Sequence, residues 1–252
     1  MHNGQKVAII TGSGQGIGKA IAERFSAEGL AVIIADNNAE TGNHVAHEIT
    51  KKGGSARFVH CDVADELNVS NLIAETMNFF GAIDILVNNA ATAVYKTVED
   101  ITLTEWDKVL AVNLRSMYLT TRYCFPKMKL RGGGSIISLS SIHAHTTSTN
   151  NSPYAASKGA VSSLVRALAL EGASYHIRVN SISPGAIATP MLLENWGTID
   201  PDTHPFVQRI PLKRFGRPEE IASIAYFLST DASSYMTGSD LIVDGGLSIH
   251  FN

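Results

Sequence analysis

Tyr154 and Lys158 stand four residues apart in Tyr154-Ala155-Ala156-Ser157-Lys158. On a helix, residues i and i+4 share a face, so a phenol and an ammonium project the same way. A free Tyr side chain has a pKa of about 10, and a fixed cation beside it favours the phenolate. The pair then makes a proton acceptor usable near neutral pH, as general-base work on an alcohol requires. Ser141, a short way upstream, offers a hydroxyl to the same substrate oxygen. In isolation, Tyr and Lys at this spacing more often decorate a solvated helix face, so the surroundings decide.

The N-terminal stretch supplies those surroundings. Thr11-Gly12-Ser13-Gly14-Gln15-Gly16-Ile17-Gly18 follows an apolar run and opens a helical one. Glycines permit a tight turn with positive φ and a close approach of backbone to a pyrophosphate. The helix N-terminus adds unpaired N–H groups and partial positive charge. Asp36 then closes the second apolar run, about 20 residues on, where a carboxylate accepts from the ribose hydroxyls of a bound dinucleotide. It would repel a 2′-phosphate, and its neighbours Gln15 and Asn37 carry no charge to offset that. The expected cofactor is NAD(H) rather than NADP(H). Asp62-Val63 ends the third apolar run, on the adenine side, and Asn88-Asn89-Ala90 ends the fourth. The oxidised nicotinamide ring would add a second positive charge near Tyr154.

These residues need a scaffold that gathers strand ends on one edge. Apolar β-branched runs at Lys6–Thr11, Ala31–Asp36, Arg57–Asp62, Ile83–Asn88, Ser135–Ser140, Ile177–Ile182 and Asp240–Val243 alternate with helical stretches. Those stretches cover Ile17–Gly29, Ala39–Lys52, Asp65 to Phe80, two helices over about Leu103–Leu130, Pro153–Tyr175 and Pro218–Thr230. Alternation of this kind predicts an α/β fold: a doubly wound, Rossmann-type, mainly parallel sheet of seven strands with helices on both faces. Open sheets of this type bind ligands at the carboxyl ends of their strands. The 252 residues are expected to form one domain, 1–252, with a substrate loop or lid at about Thr189–Arg217.

Composition removes several other functions. Lys plus Arg total 20 and Asp plus Glu 23, a net charge of −3 with no basic field for nucleic acid. No apolar run reaches the roughly 18–20 residues of a membrane span, and the N-terminus has no apolar signal segment. The only cysteines, Cys61 and Cys124, lie far apart, and the His residues lack metal-ligand spacing. Two reduced thiols in a cytoplasmic, metal-free protein are the expectation.

Taken together, TGSGQGIG (11–18), Asp62, NNA (88–90), Asn113, Ser141, YAASK (154–158) and Pro184-Gly185 with Thr189 resemble the short-chain dehydrogenases/reductases of about 250 residues, over nearly the whole chain. The resemblance implies that Tyr154 is the acid/base and that Ser141 positions the substrate oxygen, with Ser140 as its rival. It implies that Lys158 binds the nicotinamide ribose and depresses the Tyr154 pKa, and that Asn113 holds a water relaying protons from Lys158. The hydride would pass directly between substrate carbon and nicotinamide. Pro184, Gly185, Ile187 and Thr189 would contact the nicotinamide end. NNA is followed by Ala91, where the family often has Gly.

Substrate contacts are expected from Ala91–Tyr95, from Ile142–Asn151 and from the loop after Thr189, with Ala91, His143, Asn151, Met191 and Trp196 as candidates. His143 and His145 stand equally well as polar loop contacts. Leu192 and Phe206 would join Met191 and Trp196 in an apolar lid. This mixed lining suits a small polyhydroxylated or cyclic secondary alcohol such as a sugar, polyol or hydroxy-ketone. Steroids and 3-oxoacyl thioesters are the alternative, and a non-catalytic NAD(H) sensor is a further one. Small residues along the predicted long helix (Ala155, Gly159, Ser162, Ser163, Ala169) suit close helix approach, and by resemblance a homotetramer is expected.

Overall fold

The computed structural model describes residues 4–196 and 204–249. In chain order these form β1 (Val7–Thr11), α1 (Gly16–Ala27), β2 (Ala31–Asp36), α2 (Ala39–Lys51), β3 (Ser55–His60), α3 (Glu66–Phe80) and β4 (Ile85–Asn88). There follow α4 (Leu103–Leu110), α5 (Ser116–Arg131), β5 (Gly134–Leu139), α6 (Ser152–Ala173), β6 (Ile177–Pro184), α7 (Pro190–Trp196), α8 (Pro218–Ser229) and β7 (Asp240–Val243). The strands pair in the order β3-β2-β1-β4-β5-β6-β7, and every pairing is parallel. The expected mainly parallel doubly wound sheet is therefore parallel throughout. Its order reverses between β1 and β4, the switch point where such sheets open a crevice.

The strands are apolar because both faces are covered. Ile10, Val32 and Ile34 pack under α1, α2 and α8, whereas Ile9, Ile33 and Leu86 pack on the other side with α3, α5 and α6. Local signals set the helix ends. Asn38 caps α2, Asp65 caps α3, and Thr102 with Glu105 forms a capping box on α4.

Several expectations shift. β3 ends at His60, so Asp62 lies in the turn beyond it, not on the strand. The two helices expected over 103–130 are joined by a π-helical turn, Ala111–Arg115, that carries Asn113. The stretch 189–217 is not one irregular loop: it holds α7 and a 3-10 turn, Pro205–Arg209. On α6, Ser162 and Ala169 face inward rather than outward. Lys158, Val161, Ser162, Val165 and Ala169 recur every three or four residues and form a single buried stripe.

Candidate active site

A cavity of about 480 Å³ runs along the carboxyl edge of the sheet. Its lining includes Gly12, Gln15, Gly16, Ile17, Asp36, Asp62, Val63, Asn89, Ala90, Tyr154, Lys158, Pro184, Gly185, Ile187 and Thr189. Ala91, His143 and Met191 line it too, as do Ser140, Ser141, Leu192 and Phe206.

Some expected site residues lie behind this wall. Ser13 is fully buried and donates to the Ile10 carbonyl at 2.7 Å. Gly18 is a packing position: a Cβ there would collide with the Gly12 carbonyl and the Asn89 amide. Asn113 is buried and ties Thr92 to Ser157. Asn151 is absent from the lining. It sits at the head of α6, where its Nδ2 donates to Ser148 Oγ at 2.9 Å. Trp196 closes α7, and its side chain lies outside the described residues.

At the glycine end, the turn fits a dinucleotide. Gly12 has φ +62°, and a Cβ on it would stand 2.8 Å from Ala90 Cα, so only glycine lets β1 and β4 ends close together there. Asp36 Oδ2 accepts from Gly14 N–H at 2.8 Å and Oδ1 from Asn38 N–H at 2.9 Å. The carboxylate is thus held at the cavity wall with an unused lone pair on each oxygen.

At the other end, consecutive serines diverge. Ser140 Oγ donates to the Lys158 backbone carbonyl at 3.0 Å and meets Ser162 Oγ at 3.0 Å, away from the reaction space. Ser141 Oγ accepts from His143 N–H at 3.2 Å and lines the cavity together with Tyr154. The alternation of side chains past β5 therefore favours Ser141 over its rival. His143 pairs Nδ1 with Thr147 Oγ1 at 2.9 Å and presents its ring edge-on to Tyr154, centroids 5.7 Å apart. Burial lowers its pKa, which disfavours the imidazolium form. His145 instead pairs with Asp240 at 2.7 Å.

Lys158 Nζ donates to the Leu139 carbonyl at 2.7 Å and lies 5.4 Å from the Tyr154 ring centroid. The two groups share a face, as the spacing required. Burial weighs on the charged form of each group. Burial pushes Tyr154 up to about 12, with the Ser141 hydrogen bond acting downward and the Tyr95 phenol adding to the rise. Burial also brings Lys158 down to about 8.

Tyr95, at the end of the stretch after β4, lines the cavity, and so do Lys108, Val112 and Leu247, which no motif marks. Lys108 and Val112 share a helical face in the α4–π segment, a spacing legible in the sequence but with no motif to mark it.

Comparison with known proteins places this geometry. A family model described as "Enoyl-(Acyl carrier protein) reductase" matches residues 12–248. An uncharacterized oxidoreductase of Thermotoga maritima is 41% identical over 246 residues, 97% of this chain and 96% of its own. The solved structure of a 7 alpha-hydroxysteroid dehydrogenase complexed with NADH and 7-oxo glycochenodeoxycholic acid aligns with TM-score 0.91 at 38% identity, covering 96% of this chain and 93% of that one. A gluconate 5-dehydrogenase from Burkholderia cenocepacia, in complex with NADP and tartrate, aligns with TM-score 0.91 at 32% identity, covering 100% and 97%.

Proposed function

Because the chain belongs to the short-chain dehydrogenase/reductase family, an oxidoreductase family, we propose that it interconverts a secondary alcohol and a ketone with NAD(H), using Tyr154 as the acid/base. The observation that supports this most is the meeting of Ser141, Tyr154 and Lys158 in the cavity that also holds the glycine turn and Asp36. A nicotinamide dinucleotide bound there supplies hydride acceptance or donation.

The chain's own residues do the rest. Gly12, Gln15, Gly16 and Ile17 take the pyrophosphate end, and Asp62, Val63, Asn89 and Ala90 the adenosine side. Asp36 receives ribose hydroxyls on its free lone pairs and repels a 2′-phosphate. Pro184, Gly185, Ile187 and Thr189 hold the nicotinamide end. Ser141 takes the His143 N–H on a lone pair, so its O–H is the group that donates to the substrate oxygen. Tyr154 gives that oxygen a proton in reduction and removes it in oxidation. A buried phenol near 12 needs adjacent positive charge to act as a base, and Lys158 carries it below about pH 8. Asn113 holds the relay water through an acceptor atom, since both its amide N–H groups are spent.

The substrate class is a small polyhydroxylated or cyclic alcohol. His143, with Nδ1 satisfied by Thr147, and Tyr95 flank the phenol and suit a second oxygen, while Met191, Leu192 and Phe206 give apolar cover. An acyl-carrier partner would want the basic group Lys213, Arg214 and Arg217, but Arg214 is held by Glu220 at 2.7 and 2.8 Å and Lys213 Nζ by the Gln208 carbonyl. A steroid is the alternative substrate and a non-catalytic NAD(H) sensor the alternative role. We also propose a cytoplasmic homotetramer using α6 and β7, whose Leu170 and Ile242 are exposed; light scattering tests the assembly.

The deciding experiment is a screen of sugars, polyols, cyclic alcohols and hydroxysteroids with NAD and NADP, read as reduced-cofactor absorbance. Turnover of a polyol or cyclic alcohol with NAD is expected. Tight NADH binding with no turnover of any alcohol would favour the sensor.

A further inference from the structure

The Asp240 carboxylate, at the head of β7, accepts hydrogen bonds from four side chains on three separate segments. His145 Nε2 reaches Oδ2 at 2.7 Å, Ser162 Oγ reaches Oδ2 at 3.3 Å, Ser181 Oγ reaches Oδ1 at 2.8 Å, and Ser183 Oγ lies 2.9 Å from both oxygens. Among the described residues its only ion-pair partner is His145. The serine hydroxyls are buried, whereas His145 is exposed.

Two arms lead from it to the reaction cavity. One passes through His145 to the 3-10 turn Ile142–Ala144, whose N-cap is Ser141 and whose middle residue is His143. The turn's other bonds are local: Ala144 N–H to the Ser141 carbonyl, His145 and Thr146 N–H to the Ile142 carbonyl, His143 N–H to Ser141 Oγ, and His143 Nδ1 to Thr147 Oγ1. The other arm passes through Ser162 to Ser140, whose hydroxyl bonds the Lys158 carbonyl. Both arms end on Oδ2, while Ser181 and Ser183 of β6 hold Oδ1, so one carboxylate anchored to β6 fixes both arms at once.

We propose that Asp240, acting through His145, is a positioning residue: it sets the Ser141 hydroxyl and the His143 ring against Tyr154. It touches neither substrate nor cofactor. The claim rests on the reading of Ser141 as a substrate-binding group. The exposed arm makes it separable from simple support of the fold, because His145 contributes little to the core.

Three variants test it: Asp240→Asn, which loses an acceptor oxygen; His145→Ala, which removes the donor; and His145→Gln, which restores an N–H donor. The first readout needs no substrate. Hydrogen exchange at residues 142–146 is expected to accelerate about tenfold or more in His145→Ala and Asp240→Asn, with NADH affinity within about twofold of wild type. In His145→Gln, protection returns. The second readout is kinetic: kcat falls about tenfold in the first two variants while KM for NAD stays within about twofold, and His145→Gln recovers most of the loss. Unchanged exchange at 142–146 overturns the proposal, as does a kcat within twofold of an active wild type. If wild type turns over no alcohol, the oxidoreductase reading fails, and the exchange measurement still decides whether Asp240 orders the turn.

Discussion

The side chain of Asn113 closes on the backbone of Thr92 from both sides: Oδ1 accepts from Thr92 N–H at 2.8 Å and Nδ2 donates to the Thr92 carbonyl at 2.9 Å. A third bond, from Nδ2 to Ser157 Oγ at 3.0 Å, ties the same amide to α6 one residue before Lys158. The segment after β4 is thereby clamped over the cavity by a residue from the π turn.

Asn113→Ala leaves the Thr92 N–H and carbonyl without side-chain partners. A buried unsatisfied group costs about 1–3 kcal/mol, and each kcal/mol moves Tm by ~2–4 °C at this chain length. Thermal denaturation is expected to show that loss, with kcat falling further than the unfolded fraction explains.

Tyr154→Phe removes the proton carrier and leaves the ring. General acid–base catalysis contributes about 10²–10⁴-fold, so turnover should drop by that factor. Fluorescence titration should find NADH affinity within about twofold of wild type. Substantial retained turnover would transfer the acid/base role to another group.

Lys158→Met replaces a buried ammonium that has no carboxylate partner among the described residues. Lys158 is lowered to about 8 in the folded chain, against about 10.4 in the unfolded one. Between those values the unfolded state binds more protons, so wild-type stability rises with pH through this group. The variant lacks that slope. Its Tm should exceed wild type by a few degrees at pH 7, roughly 2–4 °C per kcal/mol, and the gap should narrow from pH 8 to 10. Turnover is lost throughout. A pH-independent gap would place the ammonium outside the buried site.

Asp36→Ala deletes the carboxylate expected to select NAD. Hydrogen bonds to a charged group are worth about 1.5–3 kcal/mol, which converts to roughly 10- to 100-fold. kcat/KM for NAD should fall by that factor while the value for NADP holds or rises. Equal losses with both cofactors would mean that Asp36 serves only the Gly14 and Asn38 turns.

Periodicity and local chemistry in the chain carried much of this protein by themselves. The β-branched runs, the glycine turn with Asp36, and Tyr154 four residues before Lys158 are short-range patterns, and short-range patterns survive translation into three dimensions. Packing decided what those patterns leave open. Ser140 turns to α6 and Ser141 to the cavity because the sheet fixes which side chains point where. Asn151 is pulled to the head of α6 and out of the lining. The burial that pushes Tyr154 up is a property of everything folded around it, and no pair of residues encodes it. Asp240 and His145, 95 residues apart, meet only once β7 has docked beside β6. Contacts between distant segments depend on the whole assembled sheet, so they belong to the tertiary structure alone.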